Sequence, residues 1–264
     1  MAGMDAFLSS AVCLGDLLKQ AGYHLVYMGG ADLTFAGKGK FLKTHGFDEI
    51  WGEQELLPWV HGAVHQTGWG LTDDALLALA YQRFLDLSGK EERFGLVVLT
   101  LDTHPPDGFP SPSCQEVYRD GKNPMLNAVL CSDRLAGKFI ERIEKSPFAD
   151  QTVIVALSDH LALRNSSTDL LNKADRTNLF LVLDPSKEQP SRVDQLGSTL
   201  DIGTTLLPLL GYQGSIGLGR NLLDLSLETQ TAEVHRNIAA WNRPAARFWD
   251  FPKIENSVTV DPGQ

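Results

Sequence analysis

The 264 residues carry 33 acidic against 23 basic side chains, a formal net charge of −10, with 43% hydrophobic and 21% charged residues. That balance suits a globular chain with a sizeable core, and it excludes a broad nucleic-acid footprint, which needs clustered Lys and Arg. No apolar run approaches the roughly 18–20 residues that span a bilayer, and the opening MAGMDAFLSSAVCLGDLL has no basic start and is interrupted by Asp5, so it is not read as a signal peptide.

Residues 13–21 predict a helix ended by Gly22, followed by a strand over 24–28 and the glycine-rich stretch MGGADLTFAGKGKFLKTHGF. Residues 73–87 place apolar side chains at helical spacing, with Asp73 and Asp74 in the first turn, where acids suit the helix dipole. A strand over 95–101 leads into a polar, proline-rich loop over 104–124, a helix near 131–145 and a strand over 152–157. Another strand over 178–183 and a helix over 200–210 follow. Alternation of this kind predicts an α/β fold: a mostly parallel sheet with helices on both faces. Residues 1–231 are read as one catalytic body. Residues 232–264, with Trp241, Trp249 and Pro252, are read as a small C-terminal appendage.

The three cysteines, Cys13, Cys114 and Cys131, contain no C-x-x-C pair, which argues against a zinc knuckle or a thioredoxin-type motif. Two arrangements stay open: three unpaired thiols, or a Cys114–Cys131 disulfide in an oxidising compartment that leaves Cys13 single.

In parallel sheets ligands gather beyond the carboxyl ends of the strands. Three polar clusters fall there. Asp32 and Lys38 follow the first strand in a glycine-flanked loop that offers an ammonium and backbone amides to an anion. Asp102, Thr103 and His104 follow the second, and His104 is held before two prolines as a donor to a phosphate oxygen or a proton carrier. Asp159 and His160 follow the third. A carboxylate beside an imidazole suits Zn²⁺ or Mn²⁺, although an Asp at a strand end is also an ordinary turn or cap residue. The glycines of GSIGLGR lack the order of a dinucleotide fingerprint, and there is no G-x-S-x-G elbow, Walker lysine or H-E-x-x-H.

The ordered set GADLTFAGKGKFLKTHGFD, WGLTDD, LTLDTHPPDGF, VIVALSDHLAL, LNKADRTNLFLVL, STLDIGTTLLPLLG and IGLGRNLL resembles the bacterial phosphoglycerol transferases of the alkaline phosphatase/sulfatase superfamily, relatives of the lipoteichoic acid synthases, from about residue 12 onward. The resemblance implies an alkaline-phosphatase-like sheet and a divalent metal, Mn²⁺ first, with Zn²⁺ or Mg²⁺ as alternatives. It also implies transfer of phosphoglycerol from phosphatidylglycerol to periplasmic, membrane-derived glucans. The alternatives are a sulfatase- or phosphodiesterase-like hydrolase and a non-catalytic fragment that keeps the fold. Asp159 and His160 match the family's Asp-His metal ligands, and His104 matches its phosphate-contacting histidine. Lys38 stands where the synthases carry a phosphate-binding arginine, and Asp32 lies one place from their glycerol-side aspartate. The family's threonine nucleophile and acidic metal ligand come from strands preceding this region. The chain is therefore expected to be N-terminally incomplete, to bind metal weakly and to be inactive alone. It is expected to meet the periplasmic face of the inner membrane only through an anchor outside it.

Overall fold

A computed structural model describes residues 11–61, 66–187 and 189–224, together with Ala6, Leu8, Ser9, Ser226, Arg236, Asn237 and Ala240. The chain opens with α1 (Leu14–Gln20), β1 (His24–Gly29), a 3₁₀ turn (Phe35–Gly37), α2 (Lys38–Thr44), β2 (Glu49–Trp51) and α3 (Glu53–Leu56). A small hairpin, β3 (Gln66–Thr67) and β4 (Gly70–Leu71), precedes α4 (Asp73–Ser88), β5 (Phe94–Leu99) and α5 (Pro124–Glu144). Then come β6 (Ile154–Leu157), α6 (Thr168–Leu171), β7 (Phe180–Leu183) and α7 (Asp201–Leu209).

Three strands form a parallel sheet in the order β2-β1-β5, with Val26 opposite both Glu49 and Leu96. β1 is central and alternates its side chains between two cores, as strand geometry requires. Val26 and Met28 pack against Leu76, Ala80 and Leu87 of α4 and Leu56 of α3. Leu25, on the opposite face, packs with Leu17 and Leu18 of α1 and Leu207 of α7. Helices therefore cover both faces. α1 stops where Gly22 takes a φ of +82°, a left-handed conformation that glycine adopts without a Cβ clash.

β6 and β7 form a separate ladder and run antiparallel, with Val155 opposite Val182. The sheet is thus parallel at its centre and not in this pair, and among the described residues no backbone ladder joins β6–β7 to β2-β1-β5. Val97 of β5, Leu157 of β6 and Leu181 of β7 are exposed. The appendage expected over 232–264 lies outside the described residues apart from Arg236, Asn237 and Ala240.

Candidate active site

The carboxyl end of β1 is built by close backbone approach. A Cβ on Gly70 would lie 2.1 Å from the Gly30 carbonyl oxygen, and one on Gly30 would lie 2.4 Å from that of Leu71. Glycine at both positions lets the β3–β4 hairpin dock on the exit of β1, where Leu71 N donates to Gly30 O at 3.0 Å. Asp32 then turns the chain. Its Oδ1 accepts from Thr34 N at 2.7 Å and from the Thr34 hydroxyl, an Asx-type turn. These two bonds, with a smaller contribution from the Lys38 charge, hold the Asp32 carboxyl below its ordinary range. Lys38 starts α2, and its ammonium lies 5.9 Å from the centre of the Tyr27 ring. Partial burial lowers the Lys38 pKa, and the Asp32 charge opposes that shift.

At the exit of β5, two buried carboxylates organise the loop that carries His104. Asp73, the first residue of α4, accepts from Leu101 N at 2.6 Å and Asp102 N at 3.2 Å through one oxygen, and from the Ser132 hydroxyl of α5 at 3.0 Å through the other. Asp102 in turn accepts from Asp73 N at 3.2 Å and from the Ser111 hydroxyl. Burial, and then the neighbouring Asp73 charge, push the Asp102 carboxyl up to about 7. His104 follows in a tight turn, with His104 N donating to Leu101 O at 2.9 Å. Among the described residues the Asp102 carboxyl makes no direct hydrogen bond to His104; it holds Asp73 N and the Ser111 hydroxyl.

His104 Nδ1 lies 2.9 Å from the Pro105 carbonyl. A carbonyl can only accept, so a hydrogen sits on Nδ1 and Nε2 is the ring nitrogen left for a substrate. The indole of Trp69, at the tip of the hairpin, stacks on this imidazole with centroids 3.8 Å apart, and Phe35 meets Trp69 edge-on at 6.1 Å. One aromatic chain thus joins the Lys38 turn to the His104 loop. An open cleft of about 420 Å³ lies between the same hairpin and loop, lined by Gln66, Thr67, Thr72, Phe109, Pro110 and Pro112 among others.

At the exit of β6, Asp159 and His160 are 64% and 54% exposed, not buried among apolar neighbours. His160 Nδ1 lies 2.8 Å from the Leu161 carbonyl, which places a hydrogen there. Nε2 lies 3.4 Å from Asp159 Oδ2, a spacing that either an ion pair or two ligands of one cation would give. Ligands about 2.1 Å from one ion in tetrahedral geometry stand roughly 3.4 Å apart, so the pair fits half of a metal shell. The segment after His160 folds back on the His104 loop: Ser166 N donates to Pro106 O at 3.0 Å. Asn123 links the same segment to α5, donating to Ser166 O at 3.2 Å and accepting from the Ser167 hydroxyl at 3.0 Å. The three loops are therefore linked in a chain, the first to the second through Phe35, Trp69 and His104 and the second to the third through Pro106 and Ser166. Among the described residues no hydrogen bond or ion pair joins the side chains of Lys38, His104 and His160 to one another.

A second group, Cys13, Asp16 and His45, has ligand-type atoms within 4.8 Å of one another. Its carboxylate is already committed: Asp16 Oδ2 accepts from Cys13 N at 2.8 Å and lies 2.8 Å from His45 Nδ1. Burial, aided by Asp16, raises the Cys13 thiol to about 11, so it stays neutral and a poor ligand at neutral pH. These residues tie α1 to the end of α2. Cys114 and Cys131 form a disulfide and Cys13 is free, which resolves the two arrangements left open by the sequence. Sequence reasoning missed Tyr27, Trp69 and Asp73 as parts of this region. The Trp in TGWGLTDD, flanked by glycines between two polar runs, is the one signal that pointed to a tight aromatic turn.

Residues 7–212 match the family model described as sulfatase. Phosphoglycerol transferase I of Salmonella arizonae is 41% identical over 264 aligned positions, covering 98% of this chain and 35% of its own length. The Escherichia coli (strain 55989) protein of the same name is 40% identical with the same coverage. The chain thus spans about a third of the length of these relatives. Among solved structures, an alkaline phosphatase superfamily protein from Vibrio parahaemolyticus superposes with a TM-score of 0.66 at 25% identity over 82% of this chain and 52% of its own. The lipoteichoic acid synthase LtaP from Listeria monocytogenes gives 0.70 at 21% identity, covering 82% of this chain and 58% of its own, and so shares the fold. With an α/β sheet covered on both faces, polar loops gathered at the strand exits and a family match over most of its length, the chain belongs to the sulfatase family.

Proposed function

We propose that this chain is part of a phosphoglycerol transferase that moves phosphoglycerol from phosphatidylglycerol to a periplasmic glucan. The observation that carries this is 40–42% identity to proteins named phosphoglycerol transferase I across 98% of the chain. The three linked loops support it, because transfer of a charged phosphoryl group needs fixed cationic and hydrogen-bonding partners at one place.

Lys38 supplies the positive charge for the non-bridging phosphate oxygens, and Asp32 shapes the turn that carries it. His104 is the proton carrier: protonated, it gives the Nε2 proton to the diacylglycerol oxygen that departs as the nucleophile attacks; left neutral, it takes the proton of the acceptor hydroxyl as the threonine oxygen leaves in the second step, which restores the starting state. Trp69 limits ring rotation by stacking on it. The threonine nucleophile implied by the resemblance is assigned to the part of the relatives' length that this chain does not span. Asp159 and His160 are the residues to hold a divalent cation, with Mn²⁺ the expected ion. A bound cation there would neutralise charge on the phosphoryl oxygens and acidify the nucleophile's hydroxyl. The same reading places the whole protein at the periplasmic face of the inner membrane. Among the described residues no helix is long and apolar enough to cross a membrane.

The test uses phosphatidylglycerol labelled in its glycerol headgroup, a β-glucan acceptor and Mn²⁺. The N-terminal two-thirds of a relative is supplied separately. Label on the glucan that disappears with His104→Ala is the expected result. Label released as free glycerol phosphate, whether or not glucan is present, favours the hydrolase. No turnover in any arm favours a non-catalytic fragment.

A further inference from the structure

Tyr27 lies in β1 and is 3% exposed, yet its hydroxyl has no hydrogen-bond partner among the described residues. A buried donor left unmade carries its full desolvation cost, so a native structure that keeps one calls for a reason. Phenylalanine would fill the same space without that cost. Two features say where the hydroxyl points. A Cβ on Gly29 would lie 2.3 Å from Tyr27 Oη, so the ring runs along the strand toward its carboxyl end, and the bare glycine leaves room for it. Lys38 Nζ lies 5.9 Å from the centre of that same ring, on the turn that leaves β1. Lys38 makes no ion pair among the described residues, while Asp32, the acid nearest in charge, commits Oδ1 to Thr34. Burial raises the phenol's pKa, so it stays a donor over the physiological range.

We propose that Tyr27 Oη and Lys38 Nζ form one anion subsite at the exit of β1, with the phenol donating its hydrogen to an oxygen of a phosphate-type anion that the ammonium attracts. The proposal rests on the placement of Lys38 at the phosphate and deepens it by adding a neutral, directional donor. An ammonium attracts any anion from several directions, whereas a rigid phenol donates only to an oxygen at one point. The pair therefore orients the phosphoryl group as well as holding it.

The test is titration of the chain with inorganic phosphate, followed by NMR of labelled tyrosine rings, for the unsubstituted protein, Tyr27→Phe and Lys38→Met. The expected result is a Tyr27 signal that moves with phosphate, and binding weakened about tenfold in Tyr27→Phe. Without phosphate, the thermal midpoint of Tyr27→Phe should be unchanged or higher, because the substitution removes an unmet donor. Unchanged phosphate affinity in Tyr27→Phe, with weaker binding in Lys38→Met, would overturn the role of Tyr27 and leave Lys38 in place. A lower midpoint for Tyr27→Phe would also overturn it, since the phenol would then have a structural partner. No binding by the unsubstituted chain, or none of it lost in Lys38→Met, would remove the phosphate site itself.

Discussion

At the scale of single residues, the buried Asp73–Asp102 couple does the most to position chemistry without facing solvent. Asp73 is fully buried and Asp102 only 2% exposed. Both stand between α4, α5 and the loop that carries His104. An unfolded aspartate titrates near ~3.9, whereas Asp102 is pushed up to about 7 by burial and by Asp73. Between those values the folded chain holds a proton that the unfolded chain has released. The associated stability is therefore complete below about pH 4 and is lost as pH rises toward 7. Asp102→Asn keeps an acceptor for Asp73 N and offers a donor to the Ser111 hydroxyl, in effect fixing the protonated form. It should stabilise the chain by about 1–3 kcal/mol at pH 8 and hardly at all at pH 4, as read by thermal unfolding at both values. Destabilisation equal at both values would contradict the raised Asp102 pKa as the cause, because the effect would not follow the protonation state. The sequence reading placed Asp73 with Asp74 as dipole partners of a helix start. Nothing in a single sequence says that Asp73 turns inward to bind Leu101 N and Asp102 N.

Among the elements, α5 shows what was legible and what was not. The expected helix near 131–145 begins seven residues early, at Pro124, because Asn123 caps it through Leu126 N at 3.0 Å and proline is suited to the first turn. The Asn-Pro step in GKNPML is the sequence signal for this earlier start. α4 and the core strands were legible because long apolar periodicities dominate them. β2, three residues long, and α2, with Gly39 inside KGKFLKT, are too short or too mixed for any period to show. The antiparallel course of β7 was not legible either, since pairing direction is set by tertiary contacts and not by the strand's own residues. The Cys114–Cys131 bond fastens the proline-rich loop to α5 across a separation of 17 residues. Loss of that bond in a Cys114→Ser, Cys131→Ser double variant should cost about 2–4 kcal/mol in denaturant unfolding. Reductant should reproduce the loss in the unsubstituted chain and leave the variant unchanged. No difference between the two proteins would place the loop under other constraints.

Across the whole molecule, the three polar clusters that the sequence carries lie on loops that the fold links by contacts. Phe35, Trp69 and His104 join the first two loops, and the Pro106–Ser166 bond joins the last two. These linkers were not legible because each lies far in sequence from the residues it brings together. The proposed cation site of Asp159 and His160 stands on a segment hydrogen-bonded to the His104 loop. It is tested most directly by adding Mn²⁺ to the chain and recording paramagnetic broadening of histidine-ring and indole NMR signals. Selective broadening of His160, His104 and Trp69, abolished in His160→Ala, is the expected result. Broadening centred on His45, or sharp His104 and Trp69 signals while His160 broadens, would contradict it.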